Sequence, residues 1–110
     1  VTTKDIIEKV GLKPLTEFEH RDVEGVIISD MVSDVMGGAK SGNLWITIQT
    51  HKSIVPAANL VDISAIIITG GKEVPKDTID IANRHNIALL STKLTTFELA
   101  GKLYGLGIGT

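Results

Sequence analysis

The chain has 110 residues, a formal net charge of -2 and no cysteine. This length suits one core that buries about two-thirds of the surface exposed by the unfolded chain, without metal or disulfide staples. The missing thiols exclude disulfides, cysteine nucleophiles and cysteine-ligated zinc or iron–sulfur sites. Lysines and arginines scattered on an acidic chain argue against nucleic acid as a partner. No apolar run approaches the roughly 18 residues of a membrane span, and the first residues lack a signal-peptide layout. A soluble, cytoplasmic protein with no membrane contact is therefore expected.

In chain order, Thr2-Thr3-Lys4-Asp5 opens a helix whose apolar stripe is Ile6, Ile7 and Val10, and Gly11 ends it. Residues 13–18 alternate loosely around Pro14 and read as an edge strand or an ordered loop. Residues 23–28 form a strand, after which Ser29 or Asp30 is expected to cap a helix. Met31, Val32, Val35 and Met36 recur at helical spacing and are expected to pack inward, with the methionines as core filler. Gly37-Gly38 weakens that helix, and Ser41-Gly42-Asn43 is the clearer stop. Residues 44–48 form the next strand, with Trp45 as a packing anchor or a subunit contact. Ser53 or Thr50 then caps a helix that has Pro56 in its first turn. Ile54, Val55, Ala58 and Val61 supply its buried face.

Residues 65–68 form a third strand that runs into Thr69-Gly70-Gly71. A helix follows from Pro75 to about His85, with Ile79 and Ala82 inward and Asn86 at its carboxyl end. Residues 87–90 make the fourth strand. Thr95-Thr96-Phe97-Glu98 has the pattern of a capping box, and Phe97, Ala100, Leu103 and Tyr104 are expected to form the last apolar face. Gly105, Gly107 and Gly109 make residues 105–110 a flexible tail.

Strand and helix alternate with a period of about 21 residues, enough for a short strand and a three-turn helix. The expected fold is three-layer α/β, a mainly parallel sheet of four to five strands with helices on both faces. It occupies residues 1–110 as one domain, with residues 1–22 as an amino-terminal helix and edge segment. Parallel strands place their carboxyl ends along one rim. Ser29 and Asp30, then Gln49, Thr50 and His51, then Thr69, Gly70 and Gly71, then Ser91, Thr92 and Lys93 would gather there. Hydroxyls, backbone N–H groups, an imidazole and an ammonium suit a polar or phosphorylated small molecule.

Each member of that set also has a simpler reading. Gly70-Gly71 by itself reads more simply as a tight turn at positive φ, and neither a GxxxxGK[ST] loop nor a GxGxxG fingerprint is present. His51 is either a ligand contact or general base, or a histidine bonded to its own loop. His20 reads as a solvated loop residue, and His85 as a helix-end residue favoured by the dipole. The three histidines have no metal-binding spacing. Asp30 and Asp34 lie one turn apart, more simply as a cap and an exposed side chain than as a catalytic pair.

Four ordered stretches resemble the DRTGG domain family. They are Ile28-Ser29-Asp30-Met31-Val32-Ser33-Asp34-Val35-Met36, Leu44-Trp45-Ile46-Thr47-Ile48-Gln49-Thr50-His51, Ile67-Ile68-Thr69-Gly70-Gly71, and Leu90-Ser91-Thr92 with Thr96-Phe97-Glu98. Where many members carry Asp-Arg this chain has Thr50-His51, while the Thr-Gly-Gly loop is intact. The family resembles the amino-terminal domain of bacterial HPr kinase and the uridine-nucleotide-binding domain of muramyl ligases, and it occurs fused to CBS pairs. Stand-alone members with Gln-Thr-His resemble small proteins encoded near iron-only hydrogenases.

The resemblance implies a non-catalytic ligand-binding or regulatory module without a cofactor. From the gathering at the strand-end rim, its site would comprise Thr50, His51, Thr69, Gly70, Gly71, Ser91 and Thr92, and its ligand would be a small anionic metabolite or nucleotide. The alternative is an accessory subunit with a protein partner in a hydrogenase-related redox complex. A homodimer is expected on general grounds.

Overall fold

The computed structural model describes residues 1–109; Thr110, the end of the expected tail, lies outside them. The elements in chain order are α1 (Thr3–Val10), β1 (Lys13–Pro14), β2 (Val26–Ile28), α2 (Val32–Gly38), β3 (Leu44–Thr47), α3 (Ile54–Leu60), β4 (Ala65–Ile68), α4 (Lys76–Arg84), β5 (Leu89–Ser91) and α5 (Thr96–Gly105). The sheet order is β1-β5-β4-β3-β2. Strands β2 to β5 are parallel neighbours, and β1 pairs antiparallel with β5 through Lys13↔Ser91 and Pro14↔Leu90. This is the expected α/β architecture.

Side-chain alternation divides the core between the two faces of the sheet. Leu44, Ile46, Ala65, Ile67, Ala88 and Leu90 pack with Ile6 of α1 and with Leu99 and Leu103 of α5. Trp45, Ile66, Ile68 and Leu89 pack on the opposite face with Val35 of α2, Ile54, Val55, Ala57 and Ala58 of α3, and Ala82 of α4. Every residue of β3 and β4 is buried, as a sheet covered on both sides requires. The winding from β2 onward is sequential, so α2, α3 and α4 share one face, and after β5 the chain returns to the face that α1 covers.

Local chemistry sets the helix ends. Thr2 and Asp5 form a reciprocal capping box on α1, and Gly11 closes that helix at φ 78°. Thr95 and Glu98 repeat the box on α5. Asn86, at φ 54°, lies just past the C-cap His85 of α4 in the left-handed conformation that asparagine tolerates. Beyond β1, Leu15 N–H donates to the Leu89 carbonyl at 2.8 Å. The buried Thr16 hydroxyl donates to Ile87 O at 2.8 Å and accepts from Leu89 N–H at 3.0 Å, so the edge segment is docked along β5.

Several sequence expectations are corrected. The strand expected at residues 23–28 is shorter, because Gly25 at φ 78° breaks the extended run and β2 starts at Val26. The strand expected at 87–90 is Leu89–Ser91. Neither Ser29 nor Asp30 caps α2, whose N-cap is Met31 without a side-chain bond. Asp30 reaches across to β3, where Oδ1 accepts from Thr47 Oγ1 at 2.9 Å and from Ile48 N–H at 3.0 Å. That contact ends β3 at Thr47.

Met31 and Met36 are exposed rather than core, and of their helix only Val35 is buried. Ser53 precedes α3 but makes no side-chain cap bond. Phe97 and Tyr104 lie on the solvent side of α5 at 86% and 79% exposure, while Leu99 and Leu103 take the core. Helix α5 runs through Gly105, and Ile108 is buried beyond it. Trp45 is fully buried and donates its indole N–H to Ser29 O at 2.8 Å, which makes it a packing anchor.

Candidate functional site

Because β2 to β5 share a direction, their carboxyl ends do form one rim, but its loops are not equivalent. The β4 loop leads to α4 on one face, and the β5 loop leads to α5 on the other. In open α/β sheets, the place where successive connections part to opposite faces leaves a crevice beyond the strand ends. Here it is an open cleft of about 810 Å3. Val10 and Gly11 at the end of α1, Lys13 on β1, Gly71 and Lys72 after β4, Ser91 to Leu94 after β5, and Glu98 and Lys102 on α5 line it.

Four lysines (Lys13, Lys72, Lys93 and Lys102) face one carboxylate, Glu98, so the lining carries a net charge of three positive on a chain that is negative overall. The carboxylate is already engaged. Glu98 Oε1 accepts from Thr95 N–H at 3.0 Å, and that backbone bond, with help from the Thr95 hydroxyl and Lys102, holds its pKa below the usual range. Glu98 and Lys102 stand one helical turn apart on the cleft side of α5. A cleft whose charge is predominantly of one sign concentrates the field on a ligand of the other.

Thr-Gly-Gly does not present free amides to this cleft. Gly70 N–H donates to Leu94 O at 2.8 Å, and Gly71 N–H to Thr92 O at 2.9 Å. Thr69 is fully buried, and its hydroxyl bonds that of Thr96 at 2.8 Å. Consecutive positive φ angles of 78° and 67° aim both glycine amides at the β5 loop, a geometry that L residues adopt only with strain. The loop is a clasp joining the ends of β4 and β5. Gly71 then passes under Lys93, whose Cγ would lie 3.8 Å from a Cβ at that position.

Of the residues expected from sequence, the structure brings Gly71, Ser91 and Thr92 together in the cleft, with Thr69 and Gly70 behind them as the clasp. Thr50 and His51 lie at the end of β3, outside the lining. Gln49 Oε1 accepts from both of their backbone N–H groups, at 3.1 and 3.2 Å. His51 Nδ1 accepts from Ser53 N–H at 3.1 Å and pairs with the Ser53 hydroxyl at 3.0 Å. The imidazole therefore caps the turn into α3, the role that sequence gave to Ser53 or Thr50. Thr50 O accepts from the buried Thr78 hydroxyl at 2.9 Å.

Lys13, Lys72 and Lys102 were missed as site residues. Placing β1 beside β5 would have brought Lys13 to Ser91, and a helical wheel of α5 puts Lys102 beside Glu98. No group of three or more metal-ligating side chains is found among the described residues. No helix there is long and apolar enough to cross a membrane.

Fold and cleft together define a small parallel α/β domain with a cationic rim at the strand ends. The chain belongs to the DRTGG domain family, whose model matches residues 5–106. No curated protein matches it. Among solved structures it is similar to the CBS and DRTGG domains of the regulatory region of Clostridium perfringens pyrophosphatase, complexed with its activator diadenosine tetraphosphate. The TM-score is 0.71 at 18% identity over 92% of this chain. This chain spans 45% of that one, and at such identity the likeness shows the fold alone.

Proposed function

We propose that the domain is a non-catalytic, cytoplasmic regulatory module that binds a small, multiply anionic phosphorylated molecule, a nucleotide being the leading class, in the β5-end cleft. The observation that carries this reading is the convergence of Lys13, Lys72, Lys93 and Lys102 on the Ser91 and Thr92 loop. Lysines supply charge, while the two hydroxyls and the open flank of Gly71 supply close polar contact. The nucleotide activator of the clostridial regulatory region supports this ligand class. Thr69 and Gly70 serve by holding the loop, and Thr50 and His51 by shaping the neighbouring rim. The other expectation, an accessory subunit of a hydrogenase-related redox complex, draws no support from the family match or the structural neighbour.

Calorimetric titration with phosphate, pyrophosphate, ADP, ATP and diadenosine tetraphosphate tests the reading. Affinity should rise with the number of phosphates and fall with added salt, and a ligand at 100 times its Kd should add about 2.7 kcal/mol of stability. No heat and no thermal shift with any of the five would refute it.

A further inference from the structure

Helix α5 has a second surface, on the flank away from the cleft. Phe97 and Tyr104 stand seven residues apart, on one face, and are the two most exposed large apolar side chains among the described residues. Between them come Ala100 and Gly101, followed by Gly105. A Cβ at Gly101 or Gly105 would meet nothing within 4 Å, and neither glycine has positive φ. Each weakens the helix without any return inside this chain. A small residue on an open helix face lets another backbone come close.

Beside the helix lies a small apolar notch of about 110 Å3, lined by Val26 and Ile28 of β2 and by Ala100, Leu103, Tyr104 and Ile108. It exists because only α1 and α5 cover this face of the sheet, whereas three helices cover the other. Two helices of about 10 Å leave roughly one strand's width bare. The bare strand is the edge strand β2, where Ile28 is 52% exposed, and Ile48, one residue beyond β3, is 46% exposed.

We infer that the outer face of α5, together with the β2 edge, is a two-fold contact between two copies of this chain. The surface is self-complementary. Helices crossing antiparallel at Ala100 and Gly101 set Phe97 of each copy against Tyr104 and the notch of the other, because 97 and 104 are equidistant from that centre. Each copy's helix then covers the other's bare strand. The two aromatic side chains contribute roughly 300 Å2 per copy. Ile28, Ile48 and the helix flank extend this towards the about 800 Å2 per partner typical of a specific interface.

Because the chain has no cysteine, one introduced thiol reports the contact cleanly. Gly101→Cys should form a disulfide-linked dimer under mild oxidation, while Asp80→Cys on the exposed side of α4 should not. Sedimentation of the unmodified chain should show a concentration-dependent dimer. Phe97→Asp should weaken it by at least about 30-fold with an unchanged circular dichroism spectrum. A monomer at all concentrations, a dimer indifferent to Phe97→Asp, or equal cross-linking from the two cysteines would overturn the inference.

Discussion

Gly71 is the position where the clasp can be tested most directly. Its φ is 67°, and an added Cβ would meet only Lys93 Cγ at 3.8 Å and Lys93 Cα at 4.0 Å, ordinary contact distances. A substitution therefore costs backbone strain with no steric clash. Left-handed backbone costs about 1–2 kcal/mol for an ordinary L residue, less for asparagine and more for a β-branched side chain. The expected order of stability is Gly71 above Gly71→Asn, then Gly71→Ala at about 1–2 kcal/mol below wild type, then Gly71→Val below both. Urea unfolding followed by fluorescence of the buried Trp45, the one tryptophan of the chain, reads this order. The m-value should be unchanged, because no surface is newly exposed. If Gly71→Val costs no more than Gly71→Asn, strain is not what selects glycine here. The clasp account of Thr-Gly-Gly would then fail.

The other expected outcomes are independent of the clasp. Asp62 is held at a pKa of about 2, chiefly by the paired bonds from Arg21 at 2.8 and 3.0 Å and also by the Ser41 hydroxyl. Its folded pKa lies below the unfolded value of 3.8, so its stabilisation is complete above about pH 4 and disappears as pH falls towards 2. Arg21→Gln should flatten that part of the stability profile, and an unchanged acid limb would refute the assignment. Trp45→Phe leaves Ser29 O without its donor and opens a void, for a loss of about 2–4 kcal/mol in urea unfolding followed by circular dichroism. A loss below 1 kcal/mol would deny Trp45 its anchoring role. Lys13→Gln with Lys93→Gln should lower affinity for a polyphosphate about tenfold or more and reduce its salt dependence, with little change in stability.

The sheet was legible because parallel strands buried on both faces must be short apolar runs. Residues 65–68 are buried throughout, and the 21-residue period leaves room only for βα units. The capping boxes at Thr2 and Thr95 were legible because both partners lie within four residues of each other. What failed depends on distance through space. Asp30 looks like a helix cap in sequence, yet its partners are Thr47 at the end of the next strand and Ile48 just beyond it. Phe97 follows the helical apolar period, but the two-helix layer leaves its side of α5 uncovered. Lys13 is inconspicuous until β1 turns out to run antiparallel beside β5.

Sequential winding also explains why both proposed surfaces fall on α5. With α2, α3 and α4 committed to one face, β5 is the strand whose outgoing connection parts from its neighbour's, and α5 is the helix that borders both the cleft and the bare β2 edge. Glu98 and Lys102 turn towards the cleft, Phe97 and Tyr104 turn the other way, and Leu99 and Leu103 seat the helix between them. Side chains on opposite flanks of a well-seated helix should act independently, since neither set touches the other's partners. Phe97→Asp should therefore leave polyphosphate affinity within about twofold, and Lys13→Gln with Lys93→Gln should leave the sedimentation behaviour unchanged. Titration of each variant with pyrophosphate, and sedimentation at matched concentration, measure both. If Phe97→Asp abolishes binding while the fold is intact, the ligand site extends across the two-fold, and the cleft of a single copy is not the whole of it.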